Sequence, residues 1–127
     1  MDFFDELRNK QPKVFSDMNS EDMQQKALEL VTKKVQRFNR KLKLKFNAIN
    51  IKDQKTCWGS CSKRKNLNFN WRVVLLPDDL ANYIVVHELC HLKEFNHSRR
   101  FWNLVASVLP NHSELTKDLK AKGLMVS

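Results

Sequence analysis

The sequence predicts an α+β fold built from an N-terminal helix, a small antiparallel sheet, a central helix that carries the chemistry, and C-terminal helices. Three observations predict it. An apolar stripe at helical spacing runs through the first third of the chain. The middle switches to two-residue alternation. Helical periodicity then returns in a segment that is apolar on nearly every side, yet contains two histidines and a glutamate.

The elements follow in order. Residues 1–19 are ambiguous: Phe3, Phe4 and Leu7 make one apolar turn, Pro12 interrupts it, and the stretch reads as a loosely packed lead-in. Ser20 suits a helix N-cap, with Glu21 and Asp22 at the positive end of the dipole. Met23, Ala27, Leu30, Val31 and Phe38 recur at helical spacing, which predicts an amphipathic helix over about 20–41. Leu42, Leu44 and Phe46 alternate with Lys43, Lys45 and Asn47 and predict a strand. A second alternation sets Leu67, Phe69, Trp71 and Val73 against Asn68, Asn70 and Arg72. Residues 62–66 are polar and read as a hairpin turn, with 56–60 as the preceding strand, broken at Gly59.

Pro77-Asp78-Asp79 announces the next helix, with proline near its start and acids in its first turn. It is expected to run to about Phe95, with Asn96 ending it in a left-handed cap. Ser98 caps another helix with Phe101, Trp102, Leu104, Val105, Val108 and Leu109 on its core face, stopped by Pro110. A final amphipathic segment covers about 113–122.

The bulk numbers suit one domain over residues 1–127. With 42% hydrophobic residues the chain can bury a core without disulfides, and two glycines and three prolines leave little room for linkers. Cys57, Cys61 and Cys90 are odd in number and read as reduced thiols. The acidic start, Met1-Asp2-Phe3-Phe4-Asp5-Glu6, lacks the basic-then-apolar order of a secretory signal, and no apolar run reaches membrane-spanning length. The expected location is cytoplasmic.

His87-Glu88-Leu89-Cys90-His91 is the H-E-x-x-H pattern on a predicted helix. Four residues advance a helix by one turn plus a small rotation, so both imidazoles project from one face and can share one Zn²⁺. Glu88 lies about 100° round the helix, which keeps it off the metal and lets it reach a water there as general base. A catalytic zinc takes three protein ligands and one open position. His97, beyond the expected cap, is the third candidate, and Glu94 is the weaker one. Metzincins use the same histidine spacing but place a glycine where this chain has Glu94. The bland alternative is a chance spacing. Against it stands the cost of burying His, Glu and His in an apolar helix without a metal or partners. A second alternative is a structural zinc held by Cys57, Cys61, His87 and His91. It needs a segment far longer than that of a classical finger and leaves Glu88 without a role.

Thr56-Cys57-Trp58-Gly59-Ser60-Cys61-Ser62, Asn70-Trp71-Arg72, Val85-Val86-His87-Glu88-Leu89-Cys90-His91-Leu92, Asn96-His97-Ser98 and Phe101-Trp102 follow one another in an order and spacing that resemble the YgjP-like metallopeptidase domain family, over about residues 49–110. That family is similar to the SprT-like and WLM-type proteases and shares their zincin-like fold. The resemblance implies a zinc metallopeptidase with His87, His91 and His97 on the metal and Glu88 as base. Two positions depart from the family. Cys57 stands where an arginine is usual before Trp-Gly-Ser-Cys. His112 stands where a tyrosine is common. His112 either serves as an oxyanion donor or is an exposed histidine, and exposure is the favoured reading. Gly59 could let a substrate backbone approach, or mark a bulge; Trp58 and Trp71 read as core aromatics.

The charge is uneven. The formal net charge is +9. From Val31 to Arg72 thirteen Lys or Arg face one acid, Asp53, while the remainder has ten bases against thirteen acids. The ordinary reading of segment 31–72 is a solvated face; the functional one is a surface for nucleic acid or another polyanion. Three functions are therefore carried forward: a zinc peptidase acting on protein or peptide, a zinc-dependent nucleotide phosphoanhydride hydrolase, and a nucleic-acid-binding module with a structural metal.

Overall fold

The computed structural model describes residues Ser20–Lys122 and has a mixed α+β architecture. The expected apolar turn at Phe3, Phe4 and Leu7 lies outside the described residues.

Helix α1 spans Ser20–Leu42, with Glu21 and Asp22 in its first turn and Arg40 and Lys41 in its last, the arrangement the helix dipole favours. Met23, Ala27, Val31, Val35 and Phe38 form its buried stripe. One cation breaks the pattern: Lys34 is buried. Its Nζ lies 2.6 Å from Asp78 Oδ1 and 2.5 Å from Asn82 Oδ1, so α1 is clamped to the start of the central helix.

The strand expected at Leu42–Phe46 is not one. The helix continues to Leu42, Lys43 turns the chain at φ 54°, and Asn39 closes the turn. Its Oδ1 accepts from Leu44 N and its Nδ2 donates to Leu44 O, both at 2.8 Å. Leu42 and Leu44 still pack against the core, which is why their spacing mimicked a strand, while Phe46 is 37% exposed.

Strands β1 (Ala48–Lys52), β2 (Gly59–Cys61) and β3 (Asn66–Asn70) form one sheet in the order β1-β3-β2. β2 and β3 make the expected antiparallel hairpin, with Lys65 at φ 65° in its turn. β1 pairs with β3 in parallel, Ile49 beside Leu67 and Ile51 beside Phe69. The sheet is therefore mixed rather than antiparallel. The parallel register puts all four apolar side chains on the face that meets the helices. The opposite face carries a polar row in which Asn50 Nδ2 donates to Asn68 Oδ1 and Asn68 Nδ2 donates to Ser60 Oγ, each at 3.2 Å.

β3 ends three residues earlier than its alternation suggests, because Trp71–Leu75 winds into a 3-10 turn capped by Asn70. Asn70 is fully buried. Its Oδ1 accepts from Arg72 N, and its Nδ2 donates to the carbonyls of Gln54 and Cys57, fastening the loop that leads into β2. Arg72 braces the same loop through Asp53 Oδ1 at 2.6 Å and Gln54 O at 3.0 Å. Trp58 and Trp71 are core residues, as expected of them.

Helix α2 spans Asp78–His91 and touches α1, β2 and two C-terminal helices, α3 (Arg99–Val108) and α4 (His112–Ala121). Its apolar character on every side matches this central position. It stops at His91, four residues short of the expected end, and Asn96 takes no left-handed conformation. Ser98 caps α3 as expected, its Oγ accepting from Phe101 N. Among the described residues no helix is long and apolar enough to cross a membrane.

Candidate metal centre

The central feature is a triangle of imidazole nitrogens. His87 and His91 lie one turn apart on α2, and His97 comes from the loop that returns toward α3. Their Nε2 atoms are separated by 3.2 Å (His91 to His87), 3.1 Å (His91 to His97) and 3.3 Å (His97 to His87). Three nitrogens at roughly 2.0–2.1 Å from one tetrahedral ion would stand about 3.3–3.4 Å apart. The triangle thus fits a metal ion. No fourth His, Cys, Asp or Glu joins this group among the described residues. Cys57 and Cys61 stay outside it, and so does Glu94, whose contribution is its main chain.

The early end of α2 makes the third corner possible. The helix turns off at Leu92, so residues 92–98 can double back over its last turn. In doing so the Glu94 carbonyl swings to 2.9 Å from His91 Nδ1 and orients that ring. His87 is oriented from the helix itself: Tyr83 lies one turn earlier on the same face, with its hydroxyl 3.2 Å from His87 Nδ1. Thr116 Oγ1 of α4 lies 2.9 Å from that hydroxyl. Burial pushes the Tyr83 phenol above its ordinary range.

Helix α3 walls the site with aromatic rings. Phe101, fully buried, stacks on His91 with centroids 4.5 Å apart and meets His87 edge-on at 5.0 Å. Trp102 sits 5.9 Å from His97 and 6.1 Å from His87. His87 and His91 are buried, while His97 is exposed, so the triangle opens to solvent at the His97 corner.

Glu88 is fully buried beside the triangle, and its side chain lies against Gly59 of β2. A Cβ at residue 59 would stand 3.1 Å from Glu88 Cγ and 3.2 Å from Oε2. The glycine of Trp-Gly-Ser-Cys therefore makes room for the glutamate of the helix. Burial first, and then the nearby Glu88 carboxylate, push the Cys61 thiol up to about 11; burial also raises Cys57. Cys90 is a buried core thiol, raised to about 12 by burial alone.

His112 is not the exposed histidine that the sequence favours. It is half-buried and stacks on Trp102 at 5.3 Å with an interplanar angle of 18°. Tyr83, Thr116 and the Phe101-Trp102 wall were not singled out as site residues from the sequence. The position of Tyr83 four residues before His87 was a legible signal for one of them.

A family model described as the YgjP-like, metallopeptidase domain matches residues 4–122. Two solved structures are similar. The metallopeptidase zymogen abylysin of Pyrococcus abyssi aligns at 26% identity with a TM-score of 0.65, covering 72% of this chain and 93% of that one. The metallopeptidase zymogen jannalysin of Methanocaldococcus jannaschii aligns at 28% identity with a TM-score of 0.63, covering 74% and 97%. A search of curated proteins finds no match. The order of elements, the histidine triangle and the match over nearly the whole chain lead to one conclusion: this chain belongs to the YgjP-like metallopeptidase domain family.

Proposed function

We propose that the chain is a zinc-dependent peptidase in which His87, His91 and His97 hold Zn²⁺ and Glu88 is the general base. The Nε2 triangle carries the reading, because its edges suit one tetrahedral ion and leave one position open. A structural zinc fills its fourth position with another protein ligand, and Cys57 and Cys61 stand apart. When bound, the ion would supply Lewis acidity, polarising a carbonyl and bringing the pKa of water down to about 7. The chain's own groups do the rest. Glu88, held in place by Gly59, takes a proton from the attacking water and returns it to the leaving amine. The Phe101-Trp102 wall keeps solvent off His87 and His91. The open His97 corner admits the substrate. Peptide is preferred over a nucleotide phosphoanhydride because the family and both solved neighbours are metallopeptidases.

The test is Glu88→Gln, which keeps shape and removes basicity. It should retain zinc and lose roughly 10²–10⁴-fold in turnover of a peptide substrate. Unimpaired turnover would remove Glu88 from the mechanism, and cleavage of nucleotides but not of peptides would favour the rival substrate.

A nucleic-acid partner is a second proposal, supported by one end of the molecule. Asn47 N donates to Lys65 O and Asn47 Nδ2 to Asn66 Oδ1, each at 2.8 Å, so the segment entering β1 is tied to the hairpin tip. Lys43, Lys45, Lys63, Arg64 and Lys65 are all exposed on these two segments, and Phe46 is exposed on the first of them. The acid of this segment, Asp53, is taken up by Arg72. Cations interleaved with an exposed aromatic suit a single strand, whose backbone follows the charges while a base stacks on the ring.

A further inference from the structure

His87 meets its orienting partner differently from His91. The Nδ1 of His91 reaches a main-chain carbonyl directly, Glu94 O at 2.9 Å. A carbonyl can only accept, so the contact places the His91 proton on Nδ1 and leaves Nε2 with a lone pair. His87 is 1% exposed and lies in the last turns of α2. Its Nδ1 meets a phenol, 3.2 Å away. A phenol can donate or accept, so this contact alone does not choose the tautomer.

The choice is made two bonds further on. Thr116 Oγ1 lies 2.9 Å from Tyr83 Oη and 2.8 Å from the main-chain oxygen of His112, at the first residue of α4. Thr116 has one hydroxyl proton, and the His112 oxygen has none to give. The 2.8 Å contact is therefore Thr116 donating to His112 O. Thr116 Oγ1 must then accept from the Tyr83 hydroxyl. That uses the only proton of Tyr83, so its oxygen must accept from His87 Nδ1–H. The reverse order puts a threonine lone pair against the carbonyl oxygen. It would also put the His87 proton on Nε2, the atom whose lone pair a metal in the triangle needs. The His112 end of the chain of contacts fixes the direction, and that direction is the one metal binding requires.

We propose that Tyr83 and Thr116 are positioning residues that hold His87 with its proton on Nδ1 and its Nε2 lone pair facing the metal, the direction being imposed by the His112 carbonyl at the start of α4. The proposal rests on His87 being a metal ligand and deepens that assignment. It makes the C-terminal helix part of the metal centre, although α4 contributes no ligand. It also gives α2 and α4 a shared polar contact inside an otherwise apolar interface, where an unmatched hydroxyl would be costly.

Two measurements test it. Long-range ¹H–¹⁵N spectra of metal-free protein at pH 8 report which nitrogen of His87 is protonated. Zinc affinity, measured by competition with a chromophoric chelator, reports the consequence. In the unmutated protein His87 should carry its proton on Nδ1. Tyr83→Phe keeps the ring and removes the link; it should weaken zinc binding by roughly 10–100-fold and convert His87 to a mixture of tautomers. Thr116→Val should shift both readouts the same way, and Thr116→Ser, which restores the hydroxyl, should recover both. Merely structural roles would lower melting temperature without moving the tautomer. A proton on His87 Nε2 in the unmutated protein, or unchanged zinc affinity in both Tyr83→Phe and Thr116→Val, would overturn the proposal. Failure of the peptidase reading looks different: zinc binds with the expected tautomer, and no peptide is cleaved.

Discussion

Gly59 and Glu88 face each other across the interface between β2 and α2, so closely that a methyl group at residue 59 would press on the glutamate side chain, 3.1 Å from its Cγ. A Cβ at Gly59 would also meet the main-chain oxygen of Asn68 at 3.0 Å, so it could not escape by leaning away from Glu88. Gly59→Ala must therefore push either the strand or the glutamate. The expected cost is about 1–3 kcal/mol of stability from overpacking. Turnover should fall by up to about 10²-fold from displacement of the base. Zinc content should stay at the unmutated level, because the histidines sit on other elements. Full activity in Gly59→Ala would show that the position of Glu88 is not set by this contact.

The histidine triangle predicts a selective pattern of metal loss. His87→Ala, His91→Ala and His97→Ala should each lose the roughly one zinc per chain that survives dialysis of the unmutated protein. Cys57→Ser and Cys61→Ser should keep it, since neither thiol joins the cluster. Elemental analysis after dialysis reads both sets. Zinc retained in His97→Ala together with zinc lost in the cysteine variants would restore the structural-zinc alternative.

Lys34 and Asp78 predict an acid-sensitive clamp. The hydrogen bond from Lys34 holds the Asp78 carboxyl below its ordinary value of 3.8. A depressed folded-state value means that this contribution to stability is fully present above the unfolded value and is lost as pH falls through the folded one. Chemical denaturation at pH 7 should show Asp78→Asn less stable than the unmutated protein. The gap should narrow as pH is lowered below about 4. A gap that stays constant down to pH 2.5 would mean the pair contributes nothing through charge. Lys34→Ala should cost up to about 1 kcal/mol at neutral pH through this pair, because the Asp78 carboxylate is 76% exposed and water can take the place of the lost donor.

The cationic end around Phe46 predicts salt-dependent binding of single-stranded DNA. The slope of log affinity against log salt should be about −0.7 per phosphate neutralised. Changing Lys63, Arg64 and Lys65 to serine should flatten that slope. Phe46→Ala should weaken binding by about 1–3 kcal/mol without changing it, because stacking releases no counterions. Binding that is absent at low salt, or indifferent to salt, would leave these residues as a solvated face.

What the sequence determined by itself is what depends on near neighbours along the chain. Helix geometry alone puts His87 and His91 on one face and Tyr83 one turn before them, so the core of the centre could be read from spacing. Ser98 as a cap, Pro77-Asp78 as a helix start and the hairpin turn expected at 62–66 rest on the same short-range chemistry, although the strand already begins at Asn66. Errors appeared at element ends, where two short-range patterns competed, and where segments distant in sequence had to pair. Leu42 and Leu44 showed a strand's alternation, but Asn39 closes a helix end over them and the first strand begins at Ala48. That strand runs parallel to β3, which no local pattern encodes, since pairing direction depends on how the chain crosses over between strands. Asn96 has the chemistry of a helix cap, yet α2 stops at His91, where the following loop turns back with the Glu94 carbonyl on the His91 ring. Tertiary structure alone placed Gly59 under Glu88, buried Lys34 against Asp78, stacked His112 on Trp102 and joined Thr116 to Tyr83. Each of these joins residues at least ten positions apart, and their energies arise only once burial has removed water from between them.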